Sequence, residues 1–253
     1  MKKTSLKKML IITYALIALI VAAVVSGVAI YYIRSSTDMA YSNYEDAMNQ
    51  GYNTEIKSEV QSSIAVIEYY YNRFKAGELT EEQAKTEAKE AVRKMRYRDD
   101  NSGYMWIDAS DYSLVMHPIL PQNEGQNRYT LQDQNGVMII QEIMKTANNG
   151  GGYNQFYFTK ADGVTVALKV AYSQKFEPWG WVVTTGNYVD DMEAEMSEVE
   201  GQIRDNFSSM VMMILIIAVI LLIVAIIISY IESENIIVKP LKQIQQMAAR
   251  IAD

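Results

Sequence analysis

The 253-residue chain carries 23 Lys plus Arg, 30 Asp plus Glu and a single histidine, with no cysteine and a formal net charge of −7. The absence of cysteine excludes disulfides, thiolate metal sites and a lipid-anchor cysteine, so any core is held by packing alone. The charge is uneven: residues 34–206 hold 16 basic against 27 acidic side chains, a net of −11, which argues against nucleic acid as a partner, since that requires a basic face.

Residues 1–8 read as a basic cytoplasmic tail with Lys2, Lys3, Lys7 and Lys8. Residues 9–33 then run without a charged side chain, longer than the roughly 20 residues that span a bilayer core. A cleaved signal peptide is the alternative for this run, with Ala22, Ala23, Ser26 and Gly27 as small residues, but a signal core is only about 7–15 residues long. Residues 34–94 form an extracytoplasmic helical region. Its first part, residues 38–74, places Tyr41, Tyr44, Met48, Ile56, Val60, Ile64 and Ile67 mostly three or four apart without proline, which predicts a long helix continuing the span outward. Gly77 interrupts it, and Thr80 with Gln83 forms a capping box that opens a second helix to about Arg96.

The pattern then turns to strands. Residues 104–109 and 114–117 predict a hairpin around Ser110, Asp111 and Ser113, ended by Pro118 and Pro121. A helix is expected over residues 133–147, N-capped by Asp133 and stopped by Asn148, Asn149 and Gly150. Strands follow over residues 153–160 and 164–173, joined at Asp162-Gly163, and over residues 181–188 after the Pro178-Trp179-Gly180 turn. An exit helix, residues 192–206, leads into a second uncharged run, residues 207–231. Lys239, Lys242 and Arg250 beyond it again place the basic flank on the cytoplasmic side. The fold class is therefore α+β: a long N-terminal helix packed on an antiparallel sheet of about five strands, flanked by two transmembrane helices.

Six short motifs occur in order over residues 95–191: Gly103-Tyr104-Met105-Trp106-Ile107, Met116-His117-Pro118, Gly125-Gln126-Asn127 with Asp133, Gly150 to Gly152, Leu168-Lys169 with Tyr172, and Phe176 to Trp181 followed by Gly186-Asn187-Tyr188-Val189-Asp190-Asp191. Together they resemble the single-Cache extracellular domains of methyl-accepting chemotaxis proteins and sensor kinases, whose sheet is PAS-like. Leu168 and Asn187 stand where members of that family usually carry proline and glycine. Residues 232–253, with Ile237-Val238-Lys239-Pro240-Leu241, look like the start of a HAMP relay. There Leu241, Ile244, Ala248 and Ile251 follow the spacing of a parallel dimeric bundle, so a homodimer is expected.

His117 is the only histidine, so a multi-histidine metal site or a Ser-His-Asp hydrolase would have to be built from it alone, and no G-x-S-x-G elbow accompanies it. It is either a half-buried strand-ending histidine or, as the resemblance implies, a donor to a ligand carboxylate. Lys169 shares a strand face with Ala167 and Ala171, and Tyr172 has the opposite parity. If that face lines a pocket, the ammonium is a compact charge suited to a small anion. Tyr172 joins it only through a bulge or a ligand at the strand end. Tyr104 and Trp106 share a face and form either aromatic core or pocket walls, with the tyrosine hydroxyl free to donate. Arg96 offers a second cation, whereas Arg98 reads as solvated. Trp179 and Trp181 read as locks for the turn before the last strand. Asp99, Asp100, Asp108 and Asp111 lack the regular spacing of a calcium loop and read as solvated.

The resemblance implies a transmembrane chemoreceptor input region in the cell membrane that takes a small organic anion of the acetate, propionate, pyruvate or lactate class. Tyr104, Trp106, His117, Lys169, Tyr172 and Arg96 would form its site, without a catalytic residue, metal or cofactor. The partners implied are membrane lipid, a second copy of the chain and a cytoplasmic signalling module. The alternatives are the same input domain on a histidine kinase or cyclic-dinucleotide enzyme, a membrane-anchored enzyme using His117 and the aspartates, and a dimerisation scaffold with a vestigial pocket.

Overall fold

The computed structural model describes residues 3–252, so Met1, Lys2 and Asp253 lie outside it, as does the side chain of Ile251 in the relay pattern. Helix α1, Lys3–Lys75, runs unbroken for 73 residues, joining the apolar run to the amphipathic segment in one element. Gly77 ends it at φ 76°, with its N–H on the Phe74 carbonyl and the Glu78 N–H on Arg73. These bonds satisfy carbonyls that the helix end leaves free, in a backbone conformation that glycine adopts without a Cβ penalty. Helix α2, Glu81–Lys94, opens on the Thr80–Gln83 capping box and stops two residues short of the expected Arg96, because Met95 is already extended.

Strands β1 (Trp106–Ala109), β2 (Leu114–Met116), β3 (Gly152–Thr159), β4 (Val166–Phe176) and β5 (Trp181–Tyr188) form one antiparallel sheet in the order β2-β1-β5-β4-β3. Strand β1 starts at Trp106 rather than at Tyr104, and β4 reaches Phe176 rather than ending at Ser173. At the middle of the β4–β5 pair, Gly186 faces Ala171, and a Cβ there would overlap the Val170 carbonyl oxygen and press on Ala171 Cα at 2.8 Å. Only glycine permits that approach.

Helix α3 is Ile139–Asn148, six residues later than expected, and Asp133 does not cap it. The Asp133 carboxylate instead accepts the backbone N–H groups of Asn135 and Val137 and, through Oδ2, that of Tyr157 in β3. A short acidic side chain serves a turn as readily as a helix start, and here the turn fastens the loop to the sheet.

Both sheet faces are covered. On one, Ile56, Val60 and Ile67 of α1 and Ala88 and Val92 of α2 pack on Met105, Ile107, Val183 and Tyr172. On the other, Ile139, Ile140, Ile143 and Met144 of α3 pack on Trp106, Phe156, Ala171 and Val182.

After β5 the chain enters α4, Val189–Glu232, then a π-helical turn, Ser233–Val238, and α5, Lys239–Ala252. Both α1 and the α4–α5 run are long and apolar enough to cross a membrane. By its contacts the chain divides into the unit Tyr44–Glu198 and a unit made of the two terminal segments. In the latter, Lys7 pairs with Glu234 and lies 4.1 Å over the Tyr230 ring.

Candidate functional site

Period-two alternation decides which side chains meet. On the α3 side, β4 presents Lys169 and Ala171, β5 presents Tyr188 and Gly186 opposite them, and the segment entering β1 presents Tyr104 and Trp106. Lys169 is 1% exposed. Its Nζ lies over three aromatic rings: 4.6 Å from the centre of Tyr188, 4.8 Å from Tyr104 and 5.2 Å from Trp106. Among the described residues no carboxylate is within ion-pair distance of it. Burial, and next the positive charge of Arg98, hold its pKa down to about 7 against the pull of Asp191. The ring faces stabilise a cation here but supply no counter-charge.

His117, also 1% exposed, stands at the end of β2, stacked on Trp106 at 6.0 Å and tilted against Tyr104 at 5.3 Å between ring centres. Its Nδ1 accepts the backbone N–H groups of Ile119 at 3.2 Å and Leu120 at 3.1 Å. A neutral imidazole whose Nδ1 accepts must carry its proton on Nε2, so the ring presents an N–H donor. Burial first, then the charges of Arg128, Lys169 and Arg93, push its pKa down to about 3.

Two voids open beside these residues. A cleft of about 790 Å³ between the sheet and the loop after β2 is lined by His117, Leu131, Phe158 and Arg128. A smaller void of about 250 Å³ is lined by Lys169, Tyr188, Arg98 and Asn187. Tyr104, Lys160 and Ala161 border both, so the tyrosine stands between the histidine and the lysine.

Of the six residues read from the sequence, Tyr104, Trp106, His117 and Lys169 are brought together. The other two are not. Tyr172 belongs to the core on the α1 side, its hydroxyl donating to Gln174 at 3.3 Å, so the parity argument against a shared pocket holds. Arg96 is exposed and donates to the Arg93 and Met95 carbonyls at 2.8 and 2.7 Å.

Several participants went unread. Asp108, taken from the sequence as solvated, is fully buried and accepts from Trp106 Nε1 at 3.1 Å and from the Arg128 guanidinium, whose Nε is 3.0 Å away. The i+2 spacing from Trp106 was its available signal. Arg98, also taken as solvated, pairs with Glu55 of α1. Glu124 accepts the His117 N–H at 3.0 Å and both Arg93 Nη atoms, pinning the histidine loop to α2. Lys160 bridges to Asp190 and Asp191. Among the described residues no group of three or more His, Asp or Glu side chains is disposed to hold a metal.

Residues 48–202 match the model of the family described as Single Cache domain 2. The chain is 33% identical over 147 residues to the methyl-accepting chemotaxis protein McpP of Pseudomonas putida, covering 58% of this chain and 26% of that one. It is 28% identical over 171 residues to the sensor histidine kinase MctS of Rhizobium johnstonii, covering 68% of this chain and 36% of that one. It thus spans about a quarter to a third of the length of these relatives. Among solved structures, a Cache chemosensory domain described as showing the structural basis for carboxylic acid recognition superposes with a TM-score of 0.54 at 27% identity, over 57% of this chain and 97% of that domain.

Proposed function

Because the chain belongs to the Single Cache domain 2 family, we propose that it is the input region of a methyl-accepting chemotaxis receptor whose extracytoplasmic unit senses a small monocarboxylate. The observation that carries this is Lys169, a buried ammonium ringed by aromatics with, among the described residues, no carboxylate beside it. The other cations of the site are already matched: Arg128 by Asp108, Arg98 by Glu55, and Lys160 by Asp190 and Asp191. With His117 neutral, Lys169 is the cation left without an acidic partner among the described residues, which favours a ligand with one carboxylate, such as acetate, propionate, pyruvate or lactate. Lys169 supplies the charge, and His117 Nε2–H and the Tyr104 hydroxyl supply oriented hydrogen bonds. Trp106 and the cleft wall take the short tail. These groups bind and orient; none is arranged for turnover.

Acetate has four heavy atoms, and at most about 1.5 kcal/mol per atom limits its binding to about 6 kcal/mol, or tens of micromolar. The ligand favours one arrangement of the sheet against α1, and α4, which begins directly after β5, carries a displacement of about 1–2 Å toward the second span. Residues 34–94 and 95–191 then form the sensing part and residues 232–253 the start of the relay, in a homodimer. Calorimetry and thermal-shift screening of the full chain in nanodiscs against C2 to C4 acids tests the reading. It is wrong if none responds, or if the response is unchanged in Lys169→Ala. A histidine kinase output is the second reading, supported by the MctS relative. The coding sequence downstream of residue 253 separates the two.

A further inference from the structure

Among the described residues, Lys160 is the cation of the site that is paired with the exit helix. It is the residue after β3 and lines both voids. Its ammonium is 2.8 Å from Asp190 Oδ2 and 2.7 Å from Asp191 Oδ1, the two acids in the first turn of α4. The same ammonium lies 5.1 Å from the centre of the Tyr188 ring, which Lys169 approaches to 4.6 Å, and the Tyr188 hydroxyl donates to the Thr159 carbonyl at 2.8 Å. One ring thus separates the free cation of the site from the cation that holds the exit helix to the end of β3.

We propose that Lys160 is a switch residue, contested between the bound carboxylate and the Asp190–Asp191 pair; this rests on the carboxylate reading of Lys169. An anion entering at Lys169 occupies a void that Lys160 and Asp191 also line, so it attracts the first and repels the second. Lysine is a point charge on a flexible stem and can turn between acceptors. Its present partners are half exposed, at 47% and 51%, so the pairs are weak enough to exchange. Asp190 and Asp191 remain favourable at a helix N-terminus without a counter-ion, because the helix dipole is positive there. When Lys160 leaves, α4 therefore keeps its first turn and loses only its tether to β3. Carboxylate binding and the grip on the exit helix exclude each other.

Propionate titrations of the full chain in nanodiscs test this through a thermodynamic cycle. Asp190→Asn with Asp191→Asn frees Lys160 and tightens binding by about threefold or more, whereas Lys160→Met weakens it. In the Lys160→Met background the two Asn substitutions tighten binding by clearly less than they do with Lys160 present, because only the direct repulsion by Asp191 is then relieved. Lys160→Arg, which keeps the charge, preserves the dependence. Equal tightening in both backgrounds means that only bulk charge acts, and overturns the switch; so does no tightening with Lys160 present. If wild type binds neither propionate nor acetate, pyruvate or lactate, the carboxylate reading falls and takes the switch with it. Binding with additive substitutions overturns the switch alone.

Discussion

Replacing Lys169 with methionine is expected to make the empty protein more stable while abolishing carboxylate binding. The unfolded lysine has a pKa near 10.5 and the folded one about 7. At pH 7 the unfolded chain is therefore fully protonated at this position and the folded one half protonated, which disfavours folding by about 4 kcal/mol relative to a neutral side chain. Methionine has a similar length, no charge and favourable sulfur–aromatic contacts. The lost cation–π contacts with Tyr104, Trp106 and Tyr188 offset part of the gain, leaving about 1–3 kcal/mol. For a unit of this size that raises the midpoint by roughly 2–12 °C.

Tryptophan fluorescence is the assay, because the three tryptophans, Trp106, Trp179 and Trp181, all lie in the unit Tyr44–Glu198. The sign follows from linkage. The folded pKa is depressed, so the penalty is fully present below about pH 7 and is relieved as pH rises toward 10.5. Wild type should gain up to about 1.4 kcal/mol per pH unit in that window, the methionine variant should stay flat, and the gap should close. Burial raises the Tyr104 and Tyr188 hydroxyls, which stay neutral across most of the window. A variant that melts at or below wild type at pH 7 refutes the idea that the empty site carries an uncompensated charge.

Carboxylate affinity should fall by about tenfold per pH unit above 7, and calorimetry at pH 8 in two buffers of different ionisation enthalpy should register proton uptake, because the ligand needs the Lys169 ammonium. No inflection is expected between pH 5 and 7, since His117 titrates only near pH 3; nitrogen chemical shifts should report the Nε2–H form throughout that range. His117→Phe keeps the ring packing and removes the donor, weakening acetate by about tenfold or more in the same titration. Asp108→Asn strands the Arg128 guanidinium, which is 9% exposed, and should cost about 3–5 kcal/mol in tryptophan-monitored unfolding.

Local signals in the sequence were legible because they act over a few residues. The uncharged runs, the Thr80–Gln83 box and the Asp162-Gly163 turn each specify geometry without help from elsewhere in the chain. The pairing of Lys169 with Ala171 was readable from strand parity. Which face held the site was not, because both faces of the sheet are buried, with Tyr172 6% exposed on one and Lys169 1% exposed on the other. Arg96 looked suitable by position, but the chain turns at Met95 and backbone carbonyls take its guanidinium. Asp133 matched a helix cap, and only the approach of β3 shows that its carboxylate serves a turn. The Asp108–Arg128 pair joins residues 20 apart, so the guanidinium that accompanies this buried acid is invisible to local pattern; only the Trp106 indole, two residues away, is near it in sequence.

The size of the proposed ligand constrains how such a receptor would be balanced. A ligand shifts an equilibrium only by its differential affinity, and the apparent dissociation constant equals the intrinsic one divided by the fraction already competent. If that fraction were about one in a hundred, a ceiling near 6 kcal/mol would shrink by about 2.7 kcal/mol, leaving acetate in the millimolar range. Micromolar sensing of a four-atom ligand therefore requires a resting state close to balance, held by contacts of comparable weakness. The bonds from Lys160 to Asp190 and Asp191 have that character: half-exposed partners, at most about 1 kcal/mol each, on the first turn of the helix that leads to the second span. The strong interactions lie elsewhere, in the Asp108–Arg128 pair and the two packed cores, where they fix the site but do not change with occupancy. On the proposed function, sensitivity to a small acid would follow from placing the uncompensated charge deep in the sheet and the exchangeable one at its edge.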